Sequence, residues 1–340
     1  MPESTDSIAD HRLQQLNSWL QQQIPRLAAE RQWGELNQPS LTAASSDASF
    51  RRYFRWQSGA LSLVLMDAPP PNEDCRPFIK VAEQLAKAGL NVPEILAADV
   101  EQGFLVLSDL GLETWLQVLT TENADQLFSL AIQALITMQL NTDTANLPRY
   151  DRALLARELN LFPEWYVQHE LKQSFTAQQQ QLWQQVCELL INSALEQPTA
   201  FVHRDYMPRN LMLSAPNPGV LDFQDAVQGP ISYDITSLFK DAFVSWPDDK
   251  VSEWLAHYWQ QAQAVGLNVG TDFAEFQRWS DLMGVQRHLK VIGIFARINY
   301  RDGKPRYLAD TPRFFNYLNT VIARRPELKP LQQLLNSLGL

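Results

Sequence analysis

The stretch Phe201-Val202-His203-Arg204-Asp205-Tyr206-Met207-Pro208-Arg209-Asn210 constrains this chain more than any other. A short apolar run leads into His-Arg-Asp, an Asn follows, and Asp222 appears in Val220-Leu221-Asp222-Phe223. Leu211-Met212-Leu213 and Val220-Leu221 are short apolar runs, and Ser214-Ala215-Pro216-Asn217-Pro218-Gly219 between them has turn composition. An antiparallel hairpin centred near Pro216 sets Asn210 opposite Asp222, with Asp205 on the loop that enters the same end. An Asn carbonyl and an Asp carboxylate are hard oxygen ligands of the kind Mg²⁺ takes, with water and phosphates completing the shell. A further carboxylate beside them is what phosphoryl transfer uses to orient or deprotonate an acceptor. Asp205 is therefore read as the catalytic group and Asn210 and Asp222 as metal ligands. His203 is read as a packed histidine that braces the loop.

His203-x-Asp205-x₄-Asn210 followed by Asp222 resembles the kinase superfamily of protein kinases, choline kinases and aminoglycoside phosphotransferases. The continuation Asp222-Phe223-Gln224-Asp225-Ala226-Val227-Gln228-Gly229-Pro230, with Tyr233-Asp234-Ile235, is closer to the aminoglycoside-phosphotransferase branch. Within that branch three stretches are similar to the anomeric N-acetylmuramate and N-acetylglucosamine kinases. They are Thr-Ala-Ala-Ser-Ser-Asp-Ala-Ser-Phe-Arg-Arg-Tyr at 42–53, Met-Asp-Ala-Pro-Pro at 66–70 and Arg-Asp-Gly-Lys at 301–304. The resemblance implies a two-lobed α+β protein-kinase-like fold. Its nucleotide-binding lobe would span 1–108, its hinge 109–111, and its mainly helical catalytic and acceptor-binding lobe 112–340. It further implies ATP and Mg²⁺ as cofactors and transfer to the anomeric hydroxyl of an amino sugar. That step belongs to cell-wall sugar recycling.

Along the chain, Leu13, Leu16, Leu20 and Ile24 mark an amphipathic helix over 11–24. Runs 50–56 and 61–66 read as strands around a Gly59 turn. Ahead of them, Ser45, Ser46, Asp47 and Ser49 hold the place of a phosphate-covering loop. The strand 61–66 lacks the phosphate-binding Lys usual in the superfamily. Arg52 is expected to supply that charge; the alternative is that Arg51, Arg52 and Arg55 are solvated strand-face charges. A helix capped by Asp74 follows, then strands at 92–96 and 104–107. Asp109 and Leu110 take the hinge position that the resemblance assigns to adenine. From 113 to 196 the pattern is helical, interrupted by Leu161-Phe162-Pro163-Glu164-Trp165-Tyr166, a wall of the acceptor site or plain packing. Asp234 reads as a helix N-cap whose carboxylate also braces the catalytic loop. A long helix over 282–299 carries Arg287, His288, Lys290 and Arg297 and runs into further basic residues. With Asp225, the residues Arg287, His288 and Arg301 are candidates for the acceptor, the cations receiving an anionic one such as a lactyl carboxylate. A solvated helix exit with salt bridges is the competing reading.

Composition narrows the classes. A net charge of −10 argues against nonspecific nucleic-acid binding and requires a locally basic or metal-screened site for ATP. Cys75 and Cys187 form neither a metal spacing nor a disulfide framework, the N-terminus lacks signal-peptide features, and no apolar run approaches a membrane span. A soluble cytoplasmic protein is expected, its oligomeric state open. A protein kinase would carry Gly-x-Gly-x-x-Gly, a strand Lys and Ala-Pro-Glu, and these are absent from the sequence. An antibiotic kinase or other small-molecule hydroxyl kinase of the same fold is a nearer rival. A non-catalytic nucleotide-binding scaffold would have lost Asp205, Asn210 or Asp222, and all three are present.

Overall fold

The computed structural model describes residues 5–36, 38–46 and 50–340, with side chains from residue 11 onward except those of 45 and 46. The chain forms two compact units. The first takes residues 1–87, 91–112 and 213–224, and the second the remainder.

The first unit is built on an antiparallel sheet of β1 (Ser40–Ser46), β2 (Arg52–Ser58), β3 (Leu61–Asp67), β4 (Ile95–Asp99) and β5 (Phe104–Ser108), in the order β1-β2-β3-β5-β4. Alternation puts Leu63 and Leu65 on one face of β3 and Phe104 and Val106 on one face of β5. Helix α1 (Thr5–Arg31) buries Leu16, Trp19, Leu20, Ile24 and Leu27 in the same core. This helix is longer than the sequence pattern predicts and continues through Pro25. Helix α2 (Arg76–Lys87) begins where Asp74 accepts the backbone N–H of Arg76 at 3.0 Å.

The described part of the segment expected as a loop at 44–49 is strand. Ser45 and Ser46 belong to β1 and pair with Tyr53 and Arg52 across a bulge. Their side chains, and Asp47 and Ser49 altogether, lie outside the described residues. Segment 213–224 belongs with this unit, whereas the sequence division placed it in the larger lobe. Asn91 explains the attachment. Its amide donates to Ser214 Oγ at 2.9 Å and to the Pro216 carbonyl at 2.5 Å, and its own carbonyl accepts from Val220 N at 2.8 Å. Phe223 packs on Phe78, 4.9 Å between centroids.

The second unit contains α3 (Trp115–Val118), α4 (Ala124–Asn141), α5 (Arg152–Leu159), a π-helical segment (Phe162–Glu170) and α6 (Ala177–Leu195). Strand β6 (Thr199–Val202) then pairs antiparallel with β7 (Val227–Pro230). Helices α7 (Tyr233–Phe239), α8 (Asp248–Ala264), α9 (Phe273–Asp302), α10 (Thr311–Arg324) and α11 (Lys329–Leu338) complete it. Leu211–Met212 of this unit and Gly219–Val220 of the first each form a short strand, within the two runs that suggested a hairpin.

Helix α9 is the spine of this unit and is buried around most of its circumference between Phe276 and Ala296. Gly293 lets it approach the chain at Leu161: a Cβ there would stand 2.3 Å from the Leu161 carbonyl carbon. The aromatic interruption at 161–166 is core, since Phe162 is fully buried and lies 5.7 Å from both Tyr166 and Trp183. Asp234 is not the N-cap of α7. Ser232 holds that position, and Asp234 sits inside the first turn. Among the described residues no helix is long and apolar enough to cross a membrane.

Candidate active site

The β6–β7 ladder pairs Val202 with Val227 and delivers the chain into the His-Arg-Asp loop. Buried His203 donates its backbone N–H to Asp234 at 2.6 Å, and Arg204 donates its own at 3.0 Å. Arg204 has φ 77°, a left-handed conformation that a side chain disfavours and surrounding bonds must impose. Asp234 supplies two of those bonds. The Asp205 N–H donates to His203 Nδ1 at 3.2 Å, so the imidazole shapes the turn that presents the Asp205 carboxylate. Asn210 donates through Nδ2 to the Asp205 carbonyl at 2.9 Å, which fixes the amide's orientation. Tyr206, fully buried, ties the loop to α4 through a 2.8 Å bond to the Ala131 carbonyl. Burial raises the Asp234 carboxyl to about 6, against the lowering pull of His203 and the two backbone donors.

In the first unit, Arg52 reaches across to Asp67, which ends β3 and is fully buried. Arg52 Nε lies 3.0 Å and Arg12 Nε 2.7 Å from that carboxylate. Arg55 instead clamps the segment after β5. Its Nε and Nη2 reach Asp109 at 2.6 and 3.1 Å, and Nη2 also reaches the Gly111 carbonyl at 2.8 Å. Asp109 accepts as well from Ser62 Oγ and from Gly111 N at 3.0 Å. Burial raises this carboxyl, but Arg55, Ser62 and the Gly111 N–H together hold it below its ordinary value. Leu110 is half-buried beside it. Asp222 has φ 65° and accepts from Gln224 Nε2 at 2.8 Å.

A model of the phosphotransferase enzyme family matches residues 40–276. The chain belongs to that family. It is 62% identical over 329 residues to the N-acetylmuramate/N-acetylglucosamine kinase of Pseudomonas putida, with 97% of each chain covered. Identity to the protein of the same name from Neisseria meningitidis is 47%, covering 94% of each. Among solved structures, the ADP-bound aminoglycoside phosphotransferase APH(2'')-Ib superposes with a TM-score of 0.59 at 14% identity, covering 90% of this chain and 98% of the other. The choline kinase LicA of Streptococcus pneumoniae gives 0.57 at 13%, covering 88% and 99%. The fold is thus the protein-kinase-like one of the aminoglycoside phosphotransferases, as the motif implied.

The phosphotransferase holds its His-Arg-Asp loop with a group that the motif did not reveal. Glu158 of α5 is buried and meets Arg204 Nη2 at 2.6 Å, Lys290 Nζ at 3.2 Å, Gln286 Nε2 at 3.2 Å and the Tyr150 hydroxyl. Burial pushes the Glu158 carboxyl up, but Lys290 and Arg204 outweigh it and hold it at about 2. Lys290 also donates to Tyr233 OH at 3.1 Å, and Arg287 lies over the Tyr233 ring at 4.8 Å. A signal was available: Glu158 lies between Leu155 and Leu159 on the apolar face of α5, where a lone acid needs buried partners.

The four residues expected to meet the acceptor have different surroundings. Asp225 is exposed, and its backbone carbonyl accepts from Arg204 Nη1 at 3.4 Å. Arg287 is buried; burial lowers the affinity of its guanidinium for the proton, but Tyr233, Asp205 and Asp234 raise it further. His288 is 1% exposed and stacks on Tyr317 at 4.8 Å, and burial pushes its imidazole well below the usual value. Arg301 is exposed and pairs with Asp302 at 2.6 Å. The basic run counted along the chain is therefore divided between the interior and the surface.

Proposed function

We propose that this phosphotransferase moves the γ-phosphoryl group of ATP to the anomeric hydroxyl of N-acetylmuramate and N-acetylglucosamine, giving the sugar 1-phosphates. The observation that carries the reading is the bracing of Asp205: Asp234 grips the backbone before it, and Asn210 holds its own carbonyl. A group held this way presents a carboxylate to an incoming hydroxyl with little reorganisation. The acceptor class follows from the names of the relatives cited above.

Asp205 accepts the hydrogen bond of the acceptor hydroxyl and takes its proton as the new P–O bond forms. A hemiacetal hydroxyl is more acidic than an ordinary sugar hydroxyl, so it asks less of the base. Asn210 Oδ1 and the Asp222 carboxylate fit Mg²⁺ chemically as hard oxygen donors. Phosphate oxygens and water would complete the shell of such an ion. When bound, Mg²⁺ would neutralise charge on the transferring phosphoryl group. Arg52 and the backbone of Ser45 and Ser46 are assigned to the phosphates, and the segment Asp109–Leu110, stiffened by Arg55, to the adenine. The product is a sugar 1-phosphate suited to nucleotidyl transfer, which places the step in cytoplasmic recycling of cell-wall sugars.

Measuring ADP release with reducing amino sugars, their 1-O-methyl glycosides and aminoglycosides tests the assignment. Turnover confined to reducing sugars is the expected result. Turnover of the methyl glycosides would refute anomeric transfer.

A further inference from the structure

The loop that carries Asp205 also carries Arg209. Pro208–Asn210 is a 3₁₀ turn closed by the Asn210 N–H on the Met207 carbonyl at 2.9 Å, and Asn210 Nδ2 ties it back to the Asp205 carbonyl at 2.9 Å. Arg209 is half-buried, and its guanidinium lies over the ring of Phe243 at 5.0 Å. Among the described residues it makes no hydrogen bond and no ion pair, and its nitrogens are not shut off from solvent. Asp241 feels its charge without pairing with it: one carboxylate oxygen takes the Ala242 N–H at 2.5 Å, and the other is shielded without a partner. The Asp205 carboxylate strengthens the hold of Arg287 on its proton, and Arg287 weakens that of Asp241, so Asp205 and Arg209 border one set of charges.

The other cations that could serve a phosphate already have partners. Arg204, in the same loop, meets Glu158 at 2.6 Å, and Lys290 meets it at 3.2 Å. Arg287 is buried against the Tyr233 ring at 4.8 Å. In the first unit Arg51 reaches Glu73 at 3.5 Å, Arg52 reaches Asp67 at 3.0 Å and Arg55 reaches Asp109 at 2.6 Å. Each carboxylate cancels part of the charge these arginines can lend to a phosphate. A chain with net charge −10 that acts on ATP needs a cation not cancelled in this way. Arg209 is such a cation. The face of Phe243 orients its guanidinium without neutralising it and leaves the N–H edge open, a planar fork that donates two parallel bonds to phosphate oxygens.

We infer that Arg209 donates to the non-bridging oxygens of the phosphoryl group as it passes from ATP to the acceptor, and is a further catalytic residue. This rests on the kinase reading above. In that step the acceptor oxygen bonds to the γ-phosphorus and its proton goes to Asp205. The bond from that phosphorus to the β–γ bridging oxygen breaks, and its electron pair leaves on ADP. The phosphoryl group must therefore stand beside the hydroxyl that Asp205 holds, within the span of an arginine on the same braced loop. A neutral acceptor brings no anion of its own, so the phosphoryl group is the anion present in every turnover.

The test measures turnover of N-acetylglucosamine and N-acetylmuramate by the wild type, Arg209→Met and Arg209→Lys. It also measures ADP binding with and without aluminium fluoride, which stands in for the phosphoryl group in transfer. Arg209→Met should lower kcat by about 10²–10³-fold on both sugars, with little change in the KM of either. Arg209→Lys should lose less, because it keeps the charge and gives up only the fork. With sugar present, aluminium fluoride should tighten ADP binding by the wild type. Arg209→Met should lose that gain while binding ADP alone as before, which also shows that the variant is folded. A loss confined to the KM of N-acetylmuramate would make Arg209 a carboxylate anchor and overturn the inference, as would an unchanged kcat on both sugars. A wild type inactive on every reducing sugar overturns the kinase reading instead.

Discussion

Asp234 Oδ1 accepts the backbone N–H of Arg204 at 3.0 Å, and through that bond a buried acid on α7 holds a left-handed residue immediately before Asp205. Its other oxygen holds His203. With its carboxyl raised to about 6, Asp234 loses its charge on mild acidification. The folded state then binds the proton more tightly than the unfolded state, so between pH 6 and the ordinary carboxylate range protonation stabilises the fold. Turnover should therefore fall as pH drops through about 6 while the melting temperature does not. A kcat–pH profile recorded beside thermal melts checks this, and Asp234→Asn should lower kcat at every pH with a flattened acid limb.

Asp205→Asn retains the shape of the loop and removes the proton acceptor. Its kcat should fall roughly 10²–10⁴-fold with little change in the KM for sugar. Single-turnover measurements separate this from slow product release. Near-wild-type turnover would remove Asp205 from the chemistry.

Glu158→Gln strips the negative charge from beneath Arg204 and Lys290 and leaves one half-buried and one buried cation without it. Removing one partner of a buried pair typically costs about 3–5 kcal/mol. Because the Glu158 carboxyl is held at about 2, its contribution is complete above the ordinary glutamate range and is lost as pH falls from there towards 2. Urea midpoints of wild type and variant should differ most at pH 7 and draw together as pH falls through the acid range towards about 2. A gap that is independent of pH would mean packing, not charge, is at stake.

Gly293→Ala places a methyl group against the Leu161 backbone, which has no side chain to swing away. Helix α9 or the π-helical segment must shift. A loss of at least about 1–3 kcal/mol in denaturant unfolding is expected. Gly284→Ala, whose methyl would meet side-chain atoms no closer than 3.4 Å, should cost less and serves as the comparison.

The motif from His203 to Asp222 was legible because its chemistry is written in consecutive residues, and local turn propensity places them. The same is true of β2, β3 and β5 and of the helical run from 113, where periodicity reports burial directly. The long helix was also visible, but its charges were misleading. Arg287, His288 and Lys290 read as a basic surface in one dimension, while α9 is enclosed by neighbours and turns them inward.

Sequence alone determined the family and singled out Asp205, Asn210 and Asp222 as candidates for catalysis and metal binding, since these depend on residue type and short spacing. Tertiary structure decided which charges neutralise which: Arg52 and Arg12 with Asp67, Arg55 with Asp109, and Glu158 with Arg204 and Lys290. Nothing local fixes such pairs. A long side chain can meet any opposite charge the fold brings near, and burial, which makes that meeting matter energetically, exists only once the chain has packed.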